Sequence, residues 1–563
     1  MRTKTAKLPE PVPQRHSTAP IANFLERHAL AGAVLLTLLA SARIVATYPV
    51  FNHTFDEPVH IACGMEWLDK GSYTYEPQHP PLARIATAIG PYLLGAHSQH
   101  PATANPAAMM DEGVRILYSG NHYDLSLFLA RLGCLPFFWI AALVTYEWAR
   151  QYYGRAVGAL AICAFTFIPT VLAHAGLATT DMALMAFLGA AFLAGIRWLE
   201  QPTLARAAVF GVCGSLAVLS KFSSLVFFPA AAGLALLCYF LLQRPSAAEV
   251  LARIRRMLPG AGLAAVISFF MVWALYRFSV GPVPSLGNLK LPFPELFAGI
   301  QQVRVHNDEG HFSFLLGQRG RMGWWYFFPV ALAVKTPLGF LLLLFAGLYL
   351  IARGRIPVPR AWVPAAFAIA ILLVGMTSRI NIGLRHILPV YMGFSIVVAL
   401  AAHYILQHRG EQRGALIALG VLAAWFAGSS LLAHPDYLPY FNELAGSHPE
   451  NILVDSDLDW GQDVKRLARR MREVGARELT FSTAFRIDYA KAGLPPRREN
   501  MDVLNPPPGW TAISVSTWKE YRLGLMDRYE QYTIWPDRIP PTEKVGKGIF
   551  LWYTPPSETR GAR

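Results

Sequence analysis

Eleven apolar runs, separated by loops rich in arginine, leave this chain few ways to fold. They fall at 28–47, 125–148, 156–173, 181–198, 206–219, 224–242, 260–279, 336–352, 362–377, 387–406 and 414–432. A membrane crossing needs about 20 apolar residues, and several of these runs are shorter, so their boundaries are soft. The chain is 54% hydrophobic and only 15% charged, where soluble domains carry roughly 25% charged residues. Lipid offers no hydrogen bonds to the backbone, so the expected fold is an α-helical polytopic membrane bundle with about 11 crossings. The stretch 206–242 could be one long helix. It is split at "SKFSS" because Lys221 and three hydroxyls sit poorly at mid-bilayer.

The net charge of +14 invites a nucleic-acid partner, but its placement argues otherwise. With the N-terminus inside, Arg150 and Arg155, Arg197 and Arg206, Arg244 to Arg256, Arg353 to Arg360, and Arg409 and Arg413 all fall on the inner side. The loop "HAGLATTD" on the other side has no lysine or arginine. This is the positive-inside pattern of a multi-pass inner (plasma) membrane protein, and no nucleic-acid partner is expected. Residues 1–27 then form a cytoplasmic tail. Residues 28–433 form the membrane domain, with outer loops 48–124 and 280–335. Residues 434–563 form an extramembrane part on the periplasmic side.

The basic start "MRTKTAKLPEPVPQRH" lacks the layout of a signal peptide, so the first run reads as a retained anchor. The segment 82–96 is apolar but short and is expected to lie in the interface. "WWYFF" is an aromatic run of the kind found at a membrane boundary. Beyond 434 the pattern changes. "NILV", "ELTFS", "TAISVS" and "GIFLWY" read as strands and "WGQDVKRLARRMREV" as an amphipathic helix, giving a small α/β domain. The five cysteines include no CxxC pair, so neither a disulfide framework nor a zinc ribbon is expected.

With this topology the unusual charges gather at one membrane surface. Asp56 and Glu57 follow the first run, and "HPPLAR" with His79 comes later in the same loop. Arg131 sits near the start of the second run. Asp181 opens the fourth, Lys221 marks the split, and Lys335 precedes Pro337. "SRINIGLRHILP" adds Arg385 and His386. Each has a bland reading: a solvated loop carboxylate, a snorkelling cation, or an acid at a positive helix end. Together, at helix mouths, they suit a lipid phosphate. Arginine would grip it as a fork and lysine as a point charge. A nearby carboxylate could take a proton from an attacking hydroxyl or amine. A lipid phosphate is already a good leaving group, so one base and a cationic cradle suffice for glycosyl transfer through an oxocarbenium-like transition state.

In order and common side, the Asp-Glu pair, "HPPLAR", the early Arg131, "ATTD", "SKFS", "VKTPL" and "NIGLRHILP" resemble the GT-C glycosyltransferases of family 39 over roughly 50–435. That family includes protein O-mannosyltransferases and, more distantly, aminoarabinose transferases. "DSDLDWGQDVKRL" resembles bacterial members known only as carrier-dependent glycosyltransferases. The resemblance implies a GT-C fold and an inverting transfer from a polyprenyl-phosphate sugar to an acceptor of unknown identity on the outer face. It implies Asp56 as base, Glu57 as a support for substrate binding, and Arg131 as the donor-phosphate ligand. His79, Asp181, Lys221, Lys335, Arg385 and His386 would line the cavity. The loop 280–335 is too short for the β-trefoil of the protein-mannosylating enzymes, so a protein acceptor does not follow.

Two other readings compete. "HTFDEPVH" offers His53, Asp56, Glu57 and His60 as ligands for a divalent metal, which would make a metal-dependent membrane enzyme. Asp455, Asp457, Asp459 and Asp463 mimic calcium-loop spacing, but Trp460 stands where the turn needs glycine. A transporter is the other alternative, although the charges lie at one face and no internal repeat is present. No cofactor is required by any motif.

Overall fold

The computed structural model describes residues 20–99, 106–356, 358–408, 413–498, 501–524 and 533–555. Most of the expected tail, residues 1–19, lies outside them. The membrane part opens with α1 (Pro20–Val45). The first loop then folds as α2 (Glu57–Lys70), α3 (Pro81–Leu93) and α4 (Pro106–Leu117). Next come α5 (Tyr123–Tyr153), α6 (Arg155–Thr166), α7 (Pro169–Ala175), α8 (Asp181–Glu200), α9 (Leu204–Ser220), α10 (Ser224–Gln243) and α11 (Ala247–Leu275). The second loop holds the hairpin β1 (Val280–Val283) and β2 (Leu289–Pro292), helix α12 (Pro294–Glu309), and the hairpin β3 (Ser313–Leu315) and β4 (Gln318–Gly320). The bundle closes with α13 (Phe327–Lys335), α14 (Leu338–Ala352), α15 (Val363–Gly375), α16 (Val390–Gln407) and α17 (Arg413–Leu432).

Every expected apolar run has a helix. Seven (α1, α5, α8, α10, α11, α16, α17) are long and apolar enough to span, α9 and α15 are shorter, and two runs are bent pairs. The chain turns by 72° between α6 and α7 and by 118° between α13 and α14. Both bends sit at a proline. Ile168 before Pro169 and Thr336 before Pro337 are extended, as steric clash with the proline ring requires. The expected split at Lys221 is present, and Lys221 itself is extended between α9 and α10. Helix α11 starts at Ala247 rather than near 260, because Ser246 and Glu249 form a reciprocal capping box.

The first-loop helices approach one another backbone to backbone. Pro58 sits in the first turn of α2, where a missing N–H does no harm, and Gly71 ends that helix in the left-handed conformation (φ 64°). A Cβ on Gly64 would stand 2.0 Å from the Arg84 carbonyl oxygen, and one on Gly133 2.1 Å from that of Ala86. A Cβ on Gly113 would stand 1.9 Å from the Pro58 carbonyl oxygen. These crossings lock α2, α3 and α4 onto α5. Helix α3 matches the expected short apolar segment and exposes Ile89, Leu93 and Leu94.

After α17 the chain forms α18 (Val464–Glu473), β5 (Thr480–Ser482), β6 (Gly509–Ser514), α19 (Val515–Lys519), α20 (Trp535–Arg538), β7 (Glu543–Val545) and β8 (Ile549–Thr554). The sheet order is β5-β6-β8-β7, with β5 and β6 parallel and the other pairs antiparallel. Val464, Leu467, Ala468 and Met471 of α18 cover one face, packing on Leu479, Phe481, Ala512 and Leu551. Phe550, Trp552, Trp518 and Trp535 fill the other. Three of the four expected strands are present. "NILV" is not a strand: Pro449–Asn451 and Asp455–Asp457 are 3₁₀ turns, and Leu453 is buried in the bundle core while Val454 is buried beneath the sheet. Its apolar pattern reflects docking between two layers rather than strand pairing.

A Gly133→Ala substitution is expected to cost about 1–3 kcal/mol through overpacking. Thermal unfolding in detergent measures this directly, and an unchanged melting temperature would disprove the close crossing.

Candidate active site

The two adjacent carboxylates at the start of α2 turn in opposite directions. Glu57 points into the bundle and meets Arg131 on α5. Arg131 Nε donates to Oε1 at 2.8 Å and Nη2 to Oε2 at 2.9 Å. The backbone N–H groups of Thr54 (2.7 Å) and Ala178 (2.9 Å) also donate to this carboxylate. The remaining guanidinium hydrogens reach the carbonyls of Asn52 (2.8 Å), Tyr48 and Phe51 (both 3.3 Å). The two side chains are 0% and 1% exposed. Burial alone would raise the Glu57 pKa, but Arg131 and the two N–H donors overcome it and hold it below the usual carboxylate range.

Asp56 instead faces an opening, with its side chain 23% exposed. Arg385 Nη1, from the turn Leu384–Ile387 before α16, donates to its Oδ2 at 2.9 Å. Arg385 also lies 3.6 Å from Asp181 Oδ2 at the start of α8. Lys221 Nζ, in the break between α9 and α10, donates to Asp181 Oδ1 at 2.6 Å. Asp56, Arg385, Asp181 and Lys221 thus alternate in sign along one line. Only Asp56 at its end has appreciable exposure; Asp181 is 0% exposed. His386 adds a buried Nε2 with no hydrogen-bond partner. Burial, then Lys221 and Arg385, push its pKa well down, so its imidazole is neutral.

Two expected site residues have different surroundings. Lys335 is 1% exposed and donates to the carbonyls of Leu438 (2.7 Å) and Asp457 (2.5 Å), beneath the Phe441 ring at 4.3 Å. It fastens the 435–457 segment to the end of α13. His79 stacks edge-on to His60 at 5.3 Å, and its Nδ1 lies 3.3 Å from Glu76. Burial lowers the His79 pKa, and Glu76 offsets part of that. Behind His79 the buried Arg84 pairs with Glu76 and donates to His60 Nδ1 at 3.0 Å and the Tyr73 hydroxyl at 2.9 Å.

The metal reading of "HTFDEPVH" does not match these contacts. His53 Nδ1 bonds the Tyr123 hydroxyl (2.8 Å) and its Nε2 the Arg486 carbonyl (3.0 Å), while His60 faces Arg84 and Glu57 faces Arg131. The aspartates of "DSDLDWGQD" also diverge. Asp457 accepts from Leu384 N (3.1 Å), and Asp459 from the Ser514 hydroxyl (2.6 Å) and Ser516 N (3.1 Å). Asp463 accepts from Gly548 N (3.0 Å) and Arg466 (2.9 Å). Among the described residues no cluster of three or more His, Cys, Asp or Glu side chains is arranged to hold a metal ion.

That acidic segment is instead a wall of the site, which the residue types alone did not reveal. Ser456 Oγ accepts from Arg385 Nε at 3.2 Å. The Trp460 ring lies 4.1 Å beneath the Arg385 guanidinium, and the Trp460 carbonyl accepts from Phe55 N at 2.9 Å. The Gly461 carbonyl accepts from the Asn52 side chain at 2.6 Å, and Asn52 Oδ1 accepts from Val464 N at 2.7 Å. The one signal in the sequence was an aromatic residue inside an acidic run, flanked by a glycine held at φ 89°.

No known family and no curated protein matches the sequence. Among solved structures the chain is similar to a crystal structure of ArnT from Cupriavidus metallidurans bound to undecaprenyl phosphate. The identity is 14% and the TM-score 0.49, over 92% of this chain and 97% of that one. The apo form of that protein gives 15% identity and a TM-score of 0.45, over 93% and 98%. The Saccharomyces cerevisiae Pmt1-Pmt2 protein O-mannosyltransferase complex bound to its sugar donor gives 16% and 0.31, over 44% of this chain and 33% of that one.

Breaking the buried ion pair with Arg131→Ala strands Glu57 without its counter-charge and is expected to cost roughly 3–5 kcal/mol of stability. Thermal unfolding of the purified variant checks this; a melting temperature equal to wild type would refute the pairing.

Proposed function

We propose that this chain is an integral-membrane glycosyltransferase that inverts configuration and takes its sugar from a polyprenyl-phosphate donor. The observation that carries this reading is one partly exposed carboxylate, Asp56, at the end of an otherwise buried line of alternating charges. The order of motifs along the sequence supports it. In this reading Asp56 accepts the proton of the acceptor hydroxyl as that oxygen bonds the anomeric carbon. The bond from that carbon to the phosphate oxygen breaks, and the lipid phosphate leaves with the electron pair.

The cations come next. Arg131 is committed to Glu57 and three carbonyls, so its part is to hold the first loop in place rather than to grip the donor. Arg385 and Lys221 are the cations in line with Asp56, and they take the developing negative charge of the leaving phosphate. His386, neutral and with an unpartnered Nε2, is suited to one hydrogen bond with the same group. A donor phosphate that draws Arg385 toward itself loosens its hydrogen bond to Asp56 and leaves that carboxylate open to the acceptor hydroxyl. Catalysis on the outer face follows the topology expected from the arginine-rich loops.

Purified protein in nanodiscs with a polyprenyl-phosphate sugar tests the assignment through release of the lipid phosphate. Asp56→Asn is expected to lower turnover about 10²–10⁴-fold, the usual contribution of a general base, with thermal stability retained. Turnover near wild type would remove Asp56 from this role.

Trp460 acts as a positioning residue through Arg385. Trp460→Phe should keep most turnover, because a ring still faces the guanidinium. Trp460→Ala should lower kcat while leaving the melting temperature nearly unchanged. Equal kcat for the two variants would contradict it.

A further inference from the structure

Helix α18 has two charged sides with different fates. Arg466 is matched to Asp436 (2.6 Å) and Asp463 (2.9 Å), and Arg470 to Glu543 (2.8 Å) and Glu473 (3.2 Å). Lys465, Arg469 and Arg472 stand at i, i+4 and i+7, the spacing of one helix face, and they line a cavity of about 260 Å³ between this helix and the first loop. Lys491 lines it as well. Lys465 meets Asp124 at 2.6 Å, and Lys491 meets Asp488 at 3.9 Å. Among the described residues, Arg469 and Arg472 have no carboxylate within 4.0 Å. The cavity therefore carries excess positive charge, which a cleft concentrates.

Beside Asn52, His53 and Asp124, the rest of its lining is apolar and aromatic. Val464, Ala468, Ile487 and Ala492 contribute aliphatic groups, and Tyr118 and Tyr123 stack at 4.3 Å. Lys491 lies over the first ring at 5.5 Å and Lys465 over the second at 5.6 Å. Cations beside aromatic and aliphatic surface match a ligand with an anionic substituent on a ring bearing C–H faces. A cavity somewhat below the about 300–1,000 Å³ of drug-sized sites suits a single such ring. The cavity also borders the catalytic segment: Asn52 and His53 line it, and Asp56 follows His53 by three residues.

We infer that this cavity binds an anionic carbohydrate, one sugar ring carrying a phosphate or carboxylate, as the acceptor subsite of the enzyme. The word acceptor rests on the transfer reading above; the binding itself does not. Asn52 and His53 connect this cavity along the chain to Asp56, where Arg385 lies. The sugar ring lies against the tyrosine wall, and the anion meets Arg469, Arg472 and Lys491. Arginine forks favour phosphate and carboxylate geometry.

Titration calorimetry on full-length protein in phosphatidylcholine nanodiscs tests this with glucose 6-phosphate, glucose and inorganic phosphate as probes. Glucose 6-phosphate should bind, weaken as salt rises, and bind at least about tenfold more tightly than either other probe, since a hydrogen bond to a charged group contributes about that factor. The double variant Arg469→Gln, Lys491→Gln, both surface-exposed, should fold normally and lose about tenfold or more in affinity. Arg470→Gln, on the matched side of the same helix, should bind as wild type does. Any of three results would overturn the inference: unchanged affinity in the double variant, equal binding of glucose or inorganic phosphate, or displacement of the sugar phosphate by phosphatidylglycerol in the nanodisc. Asp56→Asn separates the two proposals, because it should bind glucose 6-phosphate normally whatever its turnover. Normal binding with no transferase activity in wild type would spare this site and sink only the enzymatic reading.

Discussion

The buried pair of Glu57 and Arg131 fixes where everything else at the site can be. A carboxylate and a guanidinium removed from water need nearly all their hydrogen bonds met within the protein. Here they are met by each other and by backbone from two places, residues 48–54 and residue 178. That requirement ties the first loop, the mouth of α5 and the approach to α8 into one unit. Because Asp56 precedes Glu57 in the same helix start, sending Glu57 inward forces Asp56 toward the opening. One residue of offset separates a fully buried acid from a partly exposed one.

The second constraint is the pair of proline bends. A straight helix would carry Lys335 or His174 into the bundle with no place to stop. Instead α7 ends short and its following loop delivers Asp181, while α13 ends at Lys335 and α14 leaves at 118°. Broken helices leave carbonyls and N–H groups that need partners, and these partners come from the site itself. Thr170 reaches the Lys335 carbonyl at 3.5 Å, and Asn442 reaches the Thr336 carbonyl at 2.6 Å. Irregular backbone is tolerated at such a depth only where it is buried in protein or lines a cavity.

Much of this was legible in the sequence. Eleven apolar runs gave eleven helical segments, and Lys221 marked a real break because a lysine with three hydroxyls cannot continue an apolar helix cheaply. Asp56, Asp181, Lys221 and Arg385 converge although 329 positions separate the first from the last. What could not be read was pairing. Nothing in "FDEP" says which carboxylate turns inward, since that depends on Arg131 arriving from a helix 74 residues away. For the same reason Arg131 read as a phosphate ligand and Lys335 as a cavity cation, when carbonyls and Glu57 already occupy them. "NILV" read as a strand because docking between two layers and strand pairing leave the same apolar signature. Trp460 escaped notice because its acidic neighbours drew the eye to calcium spacing, while its function depends on Arg385 lying across its face.

The wall formed by Ser456 and Trp460 has a consequence in time. Both belong to the last quarter of the chain, whereas Asp56 belongs to the first tenth. A ribosome delivers them in that order, and earlier segments fold first. Until the final domain emerges, Arg385 has no ring beneath it and Phe55 has no carbonyl to bond. A nascent or truncated chain therefore lacks this wall, and the site around Asp56 is complete only when synthesis is.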